Sequence, residues 1–304
     1  MRPMFTKLSR ENQDAVAFFA FASPWIIGFL FLTVLPMVVS LVISFTKWDI
    51  LTPPIWAGLA NYSELFSDPL FYKSLQVTFT YTIFAVPVFV ILSIFVALLL
   101  NNKIRMMNFF RTVFYMPAVV SGVVVALVWL WMFNPEFGIL NNLLGMVGIQ
   151  GPKWVYEEAW ALPSLVIMSL WNIGGSVIIY LAALQNVPTE LYEAASIDGA
   201  GWWSRFFHIT IPGISPVLLF TTMTGIVGAL QTFTPAFIMT NGGPNNATMF
   251  YAFYIYKNAF IWHKMGSASA QAWILFILIF LISLMTIRVL GRYTYYDAKE
   301  GNII

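Results

Sequence analysis

Side chains capable of acid, base, nucleophilic or metal chemistry are sparse in this sequence and scattered where they occur. Its 304 residues include 13 acidic and 15 basic side chains, two histidines and no cysteine. A metal centre or proton relay needs several such groups at fixed spacing, as in H-E-x-x-H. Here His208 and His263 fall in separate loops, expected on opposite faces of the molecule, so neither a metal site nor a catalytic residue is expected. The absence of cysteine removes disulfides and thiolate ligands. No G-x-x-x-x-G-K-[ST] occurs, so the chain lacks this backbone cradle for nucleotide phosphates and is expected to carry no cofactor of its own. No run of Lys or Arg could follow a phosphate backbone, and nucleic acid finds no support as a partner.

What remains is uncharged polar chemistry in apolar surroundings. Trp171, Asn172, Gly174, Gly175 and Ser176 form one such group. An aromatic face beside an amide suits a sugar, whose C–H patches stack on rings while its hydroxyls need partners. Thr221, Gly225, Gly228 and Thr232 recur at i, i+4, i+7 and i+11, which draws a small, partly hydroxylic stripe down one helix face, with Gln231 and Phe233 beside its end. Two uses fit the stripe: a seam for close helix packing, or part of a solute path. Trp129 and Trp131 read as packing or lipid-facing residues near an interface.

The elements that would hold these residues are membrane spans. A composition of 60% hydrophobic and 9% charged residues cannot coat a soluble globule of this size, so much of the surface must face lipid. A spanning helix needs about 20 apolar residues, and a charge at mid-bilayer costs roughly 2.5–3.5 kcal/mol on insertion scales. Six charge-free stretches qualify, at about 15–46, 75–100, 112–133, 160–184, 214–239 and 270–287. The first contains Pro24 and Pro36 and is expected to tilt or kink, with part of it at the interface. Ala20–Ser23 loosely resembles a signal-peptide cleavage site, but the apolar run continues to Thr46, which favours a retained helix. The fold class expected is all-α, a six-helix polytopic membrane bundle forming a single domain over 1–304.

Alternating the loops places Arg2, Lys7, Arg10, Lys103, Arg105, Arg111, Arg205, Arg288, Arg292 and Lys299 on one side, against Lys47, Lys73, Lys153, Lys257 and Lys264 on the other. The richer side is the cytoplasmic one by the positive-inside rule, so both termini are expected in the cytoplasm of a multi-pass cell-membrane protein. None of the six stretches holds Asp, Glu, Lys, Arg or His. Ion-coupled carriers usually keep such groups facing a cavity, and an anionic solute would welcome a cation, so a neutral, hydroxyl-rich solute is favoured. A sodium-coupled carrier using carbonyls and hydroxyls, or an importer of an anionic polyol such as glycerol phosphate, remains an alternative.

The cytoplasmic loop at 187–212 is unlike an ordinary connection. Thr189 could cap a short helix whose first turn holds Glu190 and Glu193, Gly199 could stop it, and a second short helix could run from Trp202 to His208 before Pro212. With Ala194 and Ala195 on one surface, the first helix could plug a groove in a partner protein. Alternatively the loop could lie on the leaflet, anchored by Trp202, Trp203, Phe206 and Phe207. The spacing of Glu193-Ala194-Ala195, Gly199 and Ile209-x-Ile211-Pro212 resembles the E-A-A-x-x-x-G-x9-I-x-L-P signature of binding-protein-dependent ABC importer permeases, with Ile211 where Leu is usual.

Gly58 to Tyr62, Asp68 to Phe71, Arg111 to Pro117, Trp129 to Asn134 and Asn241-Gly242-Gly243-Pro244 are similar to the maltose-type carbohydrate permeases in particular, so the likeness covers a permease core of about 71–290 and more. The resemblance implies the type I importer permease fold and a coupling loop whose Glu193, Ala194, Ala195, Asp198 and Gly199 meet an ATPase. It also implies a second homologous permease subunit, a cytoplasmic ATPase dimer and an extracytoplasmic solute-binding protein as partners, beside membrane lipid. In that family the helix after the coupling loop lines the sugar site. By that likeness Gln231 and Thr232, with Gly228 and Phe233 beside them, line the expected solute path, to which Trp171, Asn172 and Ser176 are added on their own chemistry.

Overall fold

The computed structural model describes residues 10–102 and 107–294, which gather into two compact units: the N-terminal residues to Leu65 with Asn258–Trp273, and Phe66–Lys257 with the chain from Ile274 onward. Arg2, Lys7, Lys103, Arg105 and Lys299, five of the cations used to orient the chain, lie outside the described residues.

The first unit begins with α1 (Arg10–Phe29), a π turn at Leu30–Val34 and α2 (Leu35–Ser44). The expected kink is not a sharp one, because Ala17–Ser44 runs as one 28-residue span. Pro36 cannot donate to the carbonyl of Leu32, and the turn before it widens into a π turn instead of breaking. Beyond α2 a two-stranded hairpin pairs β1 (Thr46–Lys47) with β2 (Ile55–Trp56), Thr46 opposite Trp56 and Lys47 opposite Ile55. The buried amide of Asn61, in α3 (Ala60–Phe66), donates to the carbonyls of Ser44 at 2.8 Å and Thr46 at 2.9 Å. The Met265 N–H donates to the Trp48 carbonyl at 2.9 Å. Gly266 lies against the Thr46 carbonyl so closely that a Cβ would stand 1.9 Å from it.

The second unit is built around α4 (Pro69–Leu100), whose 32 residues begin with Asp68 accepting from the Leu70 N–H at 2.8 Å and Pro69 in the first turn. Its buried hydroxyls are satisfied along the helix: Thr78 donates to the Ser74 carbonyl and Thr82 to that of Thr78, each at 2.8 Å. Two of the spans expected to be plain helices are instead bent pairs. The third is α5 (Met107–Val119) and α6 (Gly122–Met132), turned by 99° at Val120–Ser121. After α7 (Ile139–Met146), the fourth is α8 (Glu158–Ser169) with a 3-10 turn to Asn172, then α9 (Gly174–Asn186) at 50°.

Helices α10 (Thr189–Ile197), α11 (Trp202–Arg205) and α12 (Ile211–Gly213) follow. The run Trp202–Gly213 is turned by 71° from α13 (Ser215–Leu230). The fifth helix therefore stops well short of residue 239: the chain leaves helical form at Gln231, resumes it at Thr234 and passes into a π turn at Ala236–Thr240. A short α14 (Tyr251–Tyr256) precedes the last span, α15 (Met265–Leu290), whose first residues belong to the first unit. Three continuous helices, the bent pairs α5/α6 and α8/α9, and α13 with the run that leads into it give up to six apolar crossings among the described residues.

Candidate functional site

Two places collect the residues that the sequence singles out. The first is the segment between α9 and α13. Thr189 does not cap α10; it is the first helical residue, and Pro188 holds the cap position with no side-chain bond. With Pro188 at φ −57° and ψ 129° the helix begins one residue earlier than expected, so the Thr189 hydroxyl already stands past the cap position. Glu190 lies in the first turn and Glu193 one turn further on. Gly199 ends the helix with φ of +75°, and the Ala200 N–H donates back to the Ala195 carbonyl at 2.9 Å. Glu193, Ala194, Asp198 and Gly199 are exposed and Ala195 is half-buried, so the first helix presents one small, acidic surface. The expected second helix over Trp202–His208 is present and runs on to Gly213, its middle widening into a π turn at Phe206–Thr210, the same widening ahead of a proline seen before Pro36. The Tyr192 hydroxyl hydrogen-bonds that of Thr210 at 3.0 Å, which ties α10 to this turn.

The second place is a cavity of about 370 Å³ inside the second unit, within the usual range for small-molecule sites. Its walls come from Tyr81, Ala85 and Phe89 of α4, Gly225, Gly228 and Ala229 of α13, and the breaks of three spans. Val120 and Gly122 flank the α5/α6 bend, Ser169 and Asn172 belong to the α8/α9 bend, and Thr232, Thr234 and Pro235 follow the end of α13. Irregular backbone at membrane depth is tolerated where it lines a cavity, because its unpaired N–H and C=O groups need partners that lipid cannot supply. The Tyr81 hydroxyl lies near those of Ser169, which donates to the Val166 carbonyl at 2.6 Å, and of Thr232, which donates to the Gly228 carbonyl at 3.4 Å. No charged side chain lines the cavity. A larger groove of about 590 Å³ runs between α4 and α8; Lys73, Gln76, Thr80 and Glu158 line it beside outward-facing apolar side chains such as Phe84, Val88 and Ile167, and none of the three breaks in the spans opens onto it.

Of the residues expected on a solute path, Asn172, Gly228 and Thr232 line this cavity, and Trp171, Ser176, Gln231 and Phe233 do not. Trp171 meets Trp129 edge-on at 5.9 Å. Ser176 is half-buried within α9, and Gln231 is exposed at the end of α13. Phe233 stacks on Phe237 at 5.3 Å and meets Tyr256 at 5.3 Å. The helical stripe does not continue to Thr232, because α13 has ended; Thr232 reaches the cavity from the break. Within α13 the stripe divides by environment. Thr221 is hydrogen-bonded to the Tyr180 hydroxyl, and a Cβ on Gly225 would stand 3.4 Å from Val86, whereas one on Gly228 would meet nothing within 4 Å. Tyr81 and Ser169 were not anticipated. Their signal was the hydroxyl run Thr78, Thr80, Tyr81, Thr82 inside an apolar span, and a serine two residues before Trp171.

Comparison with known proteins gives a consistent picture. The model of the family described as binding-protein-dependent transport system inner membrane component matches residues 55–299. A probable ABC transporter permease protein, YesP, of Bacillus subtilis (strain 168) is 41% identical over 97% of both chains. The lactose transport system permease protein LacF of Rhizobium radiobacter is 36% identical, over 81% of this chain and 82% of its own. The fold is similar, with a TM-score of 0.82 and 22% identity over 96% of this chain and 99% of the other, to a chain in the crystal structure of a bacterial alginate ABC transporter in complex with an alginate pentasaccharide-bound periplasmic protein. With six crossings, a broken-helix cavity and this match over most of its length, the chain belongs to the inner membrane components of binding-protein-dependent transport systems, the permease subunits of ABC importers.

Proposed function

We propose that this chain is one of two permease subunits through which an ATP-driven importer moves a neutral sugar or oligosaccharide handed over by an extracytoplasmic binding protein. The observation that carries the reading is the convergence of three interrupted spans on a cavity with hydroxyls and an amide but no charge. Tyr81, Ser169, Asn172 and Thr232 exchange hydrogen bonds with solute hydroxyls, and Gly228 leaves room for them. Each such exchange with water is worth about 0.5–1.5 kcal/mol net, strong enough to orient a solute and weak enough to release it. The relative named for lactose transport supports a carbohydrate.

Glu193, Ala194, Ala195, Asp198 and Gly199 form the surface that a pair of cytoplasmic ATPases engages, and rigid-body rocking of this chain against its partner permease alternates access to the cavity. Both termini are cytoplasmic, all nucleotide chemistry resides in the ATPases, and this chain binds no cofactor.

Proteoliposomes containing both permeases and the ATPases, supplied with binding protein, test the scheme. Oligosaccharide uptake will require every component and will resist competition by phosphorylated polyols. Asn172→Ala or Thr232→Ala will raise the half-saturating concentration of loaded binding protein by roughly 2- to 10-fold, the equivalent of one hydrogen bond. Uptake without ATPases, or preference for the phosphorylated solute, would overturn the reading.

A further inference from the structure

We propose that the aromatic half of the segment between α10 and α13, Trp202 to Phe207, is an anchor for the bilayer surface, so that one short connection is divided between a protein-docking half and a lipid-docking half. The inference rests on α13 being a span, and it is independent of the solute. Four rings lie on consecutive turns, with Trp202 stacked on Phe206 at 5.3 Å and 3° and Trp203 on Phe207 at 6.0 Å and 16°. Three of them are largely uncovered: Trp202 is 56% exposed, Trp203 67% and Phe207 58%. The i, i+4 pairs make a broad apolar slab.

Geometry places the slab at headgroup level. The run Trp202–Gly213 is about 18 Å long at helical rise. Its 71° turn from α13 means that it advances only about 6 Å along the α13 axis. Spans tilt by about 20° on average, so the run lies nearer the membrane plane than the normal, within the roughly 5–10 Å that an interfacial helix occupies. Tryptophan is the residue type enriched at that depth. Arg205, on the same short helix, places a cation where an anionic leaflet carries phosphates, with His208 a turn beyond. The other half of the segment has the opposite character: α10 and its stop expose the carboxylates of Glu190, Glu193 and Asp198, which an anionic leaflet repels. The Tyr192–Thr210 hydrogen bond joins the halves, so a push on α10 is delivered against a point held at the membrane surface.

Because the chain has no cysteine, single cysteines can be introduced without removing any. Trp203→Cys, Phe207→Cys and Asp198→Cys, each carrying a nitroxide, are compared in nanodiscs of phosphatidylethanolamine and phosphatidylglycerol, for the permease pair alone and with the ATPases bound. Collision with oxygen reports lipid, and collision with a nickel chelate reports water. The probes at 203 and 207 are expected to favour oxygen in both states. The probe at 198 should favour the nickel chelate and lose that access when the ATPases bind. Nickel-chelate access at 203 and 207 would overturn the proposal. So would shielding of these two probes from both reagents, whether it needs the ATPases, as in a protein interface, or is already present in the permease pair.

Should a cysteine variant fail to assemble, Trp203→Phe keeps the ring. In the parent protein, brominated lipids should quench a fraction of the fluorescence that this variant lacks, and an unchanged quenchable fraction would refute the anchor. Neither readout requires transport, so failure here leaves the uptake scheme standing, and the reverse also holds.

Discussion

Gly199 holds φ at +75° with open space where a Cβ would stand, so what confines this position is backbone conformation and not crowding. An L-residue in the left-handed region costs roughly 1–2 kcal/mol, and asparagine bears it better than a β-branched residue. Gly199→Val should therefore fray the end of α10 and lose most ATPase association and uptake, while Gly199→Asn retains most of both; co-purification of the ATPases with each variant checks this. Two other glycines separate packing from passage. Gly228→Leu places a side chain in the cavity and should abolish uptake with little change in melting temperature. Gly225→Leu, at a position that also lines the cavity and whose Cβ would already touch Val86 on α4, should impair uptake and in addition lower the melting temperature, at the roughly 1–3 kcal/mol typical of overpacking. Scanning calorimetry beside uptake distinguishes the two. At this scale the sequence was partly legible: the small-residue stripe was visible, but its division was not, because Gly225 and Gly228 differ in what another helix brings to them.

Among the elements, hydropathy located the six crossings but missed the bends inside the third and fourth and the break after α13. A bend takes away only a few backbone hydrogen bonds and leaves the apolar composition unchanged, so a window of about 20 residues averages it out. Local hints existed. Pro117 removes a donor two residues before α5 ends, Gly174 and Gly175 follow the turn at Asn172, and Pro36 and Pro212 each follow a π turn. None says which way the chain turns, since that depends on contacts between helices. Gly174 illustrates this. A Cβ there would stand 2.3 Å from the Phe114 carbonyl oxygen and 2.9 Å from the Tyr115 Cα, so α9 meets α5 backbone to backbone. Backbone cannot swing aside as a side chain can. Gly174→Ala should thus cost about 1–3 kcal/mol, read as a drop of a few degrees in the melting temperature of the solubilised protein.

For the molecule as a whole, membrane residence and family were plain from the charge-free stretches and from the Glu193 to Pro212 spacing, whereas the partition into two units was not. That partition depends on residues distant in sequence, with Asn61 holding the end of α2 and Gly266 pressed onto Thr46. The cavity without charge has an electrical consequence. Moving one elementary charge across the membrane potential is worth about 2.3 kcal/mol per 100 mV, close to a 50-fold bias in an equilibrium. A neutral solute crossing past Tyr81, Ser169, Asn172 and Thr232 carries no such charge, and the apolar spans contribute none of their own. Uptake into proteoliposomes clamped by potassium diffusion potentials of either sign should therefore run at the same rate. The energised state of the membrane, which sets the accumulation limit of ion-coupled carriers, would then be invisible to this transporter, and a cell with a collapsed potential would keep importing for as long as its ATP lasted.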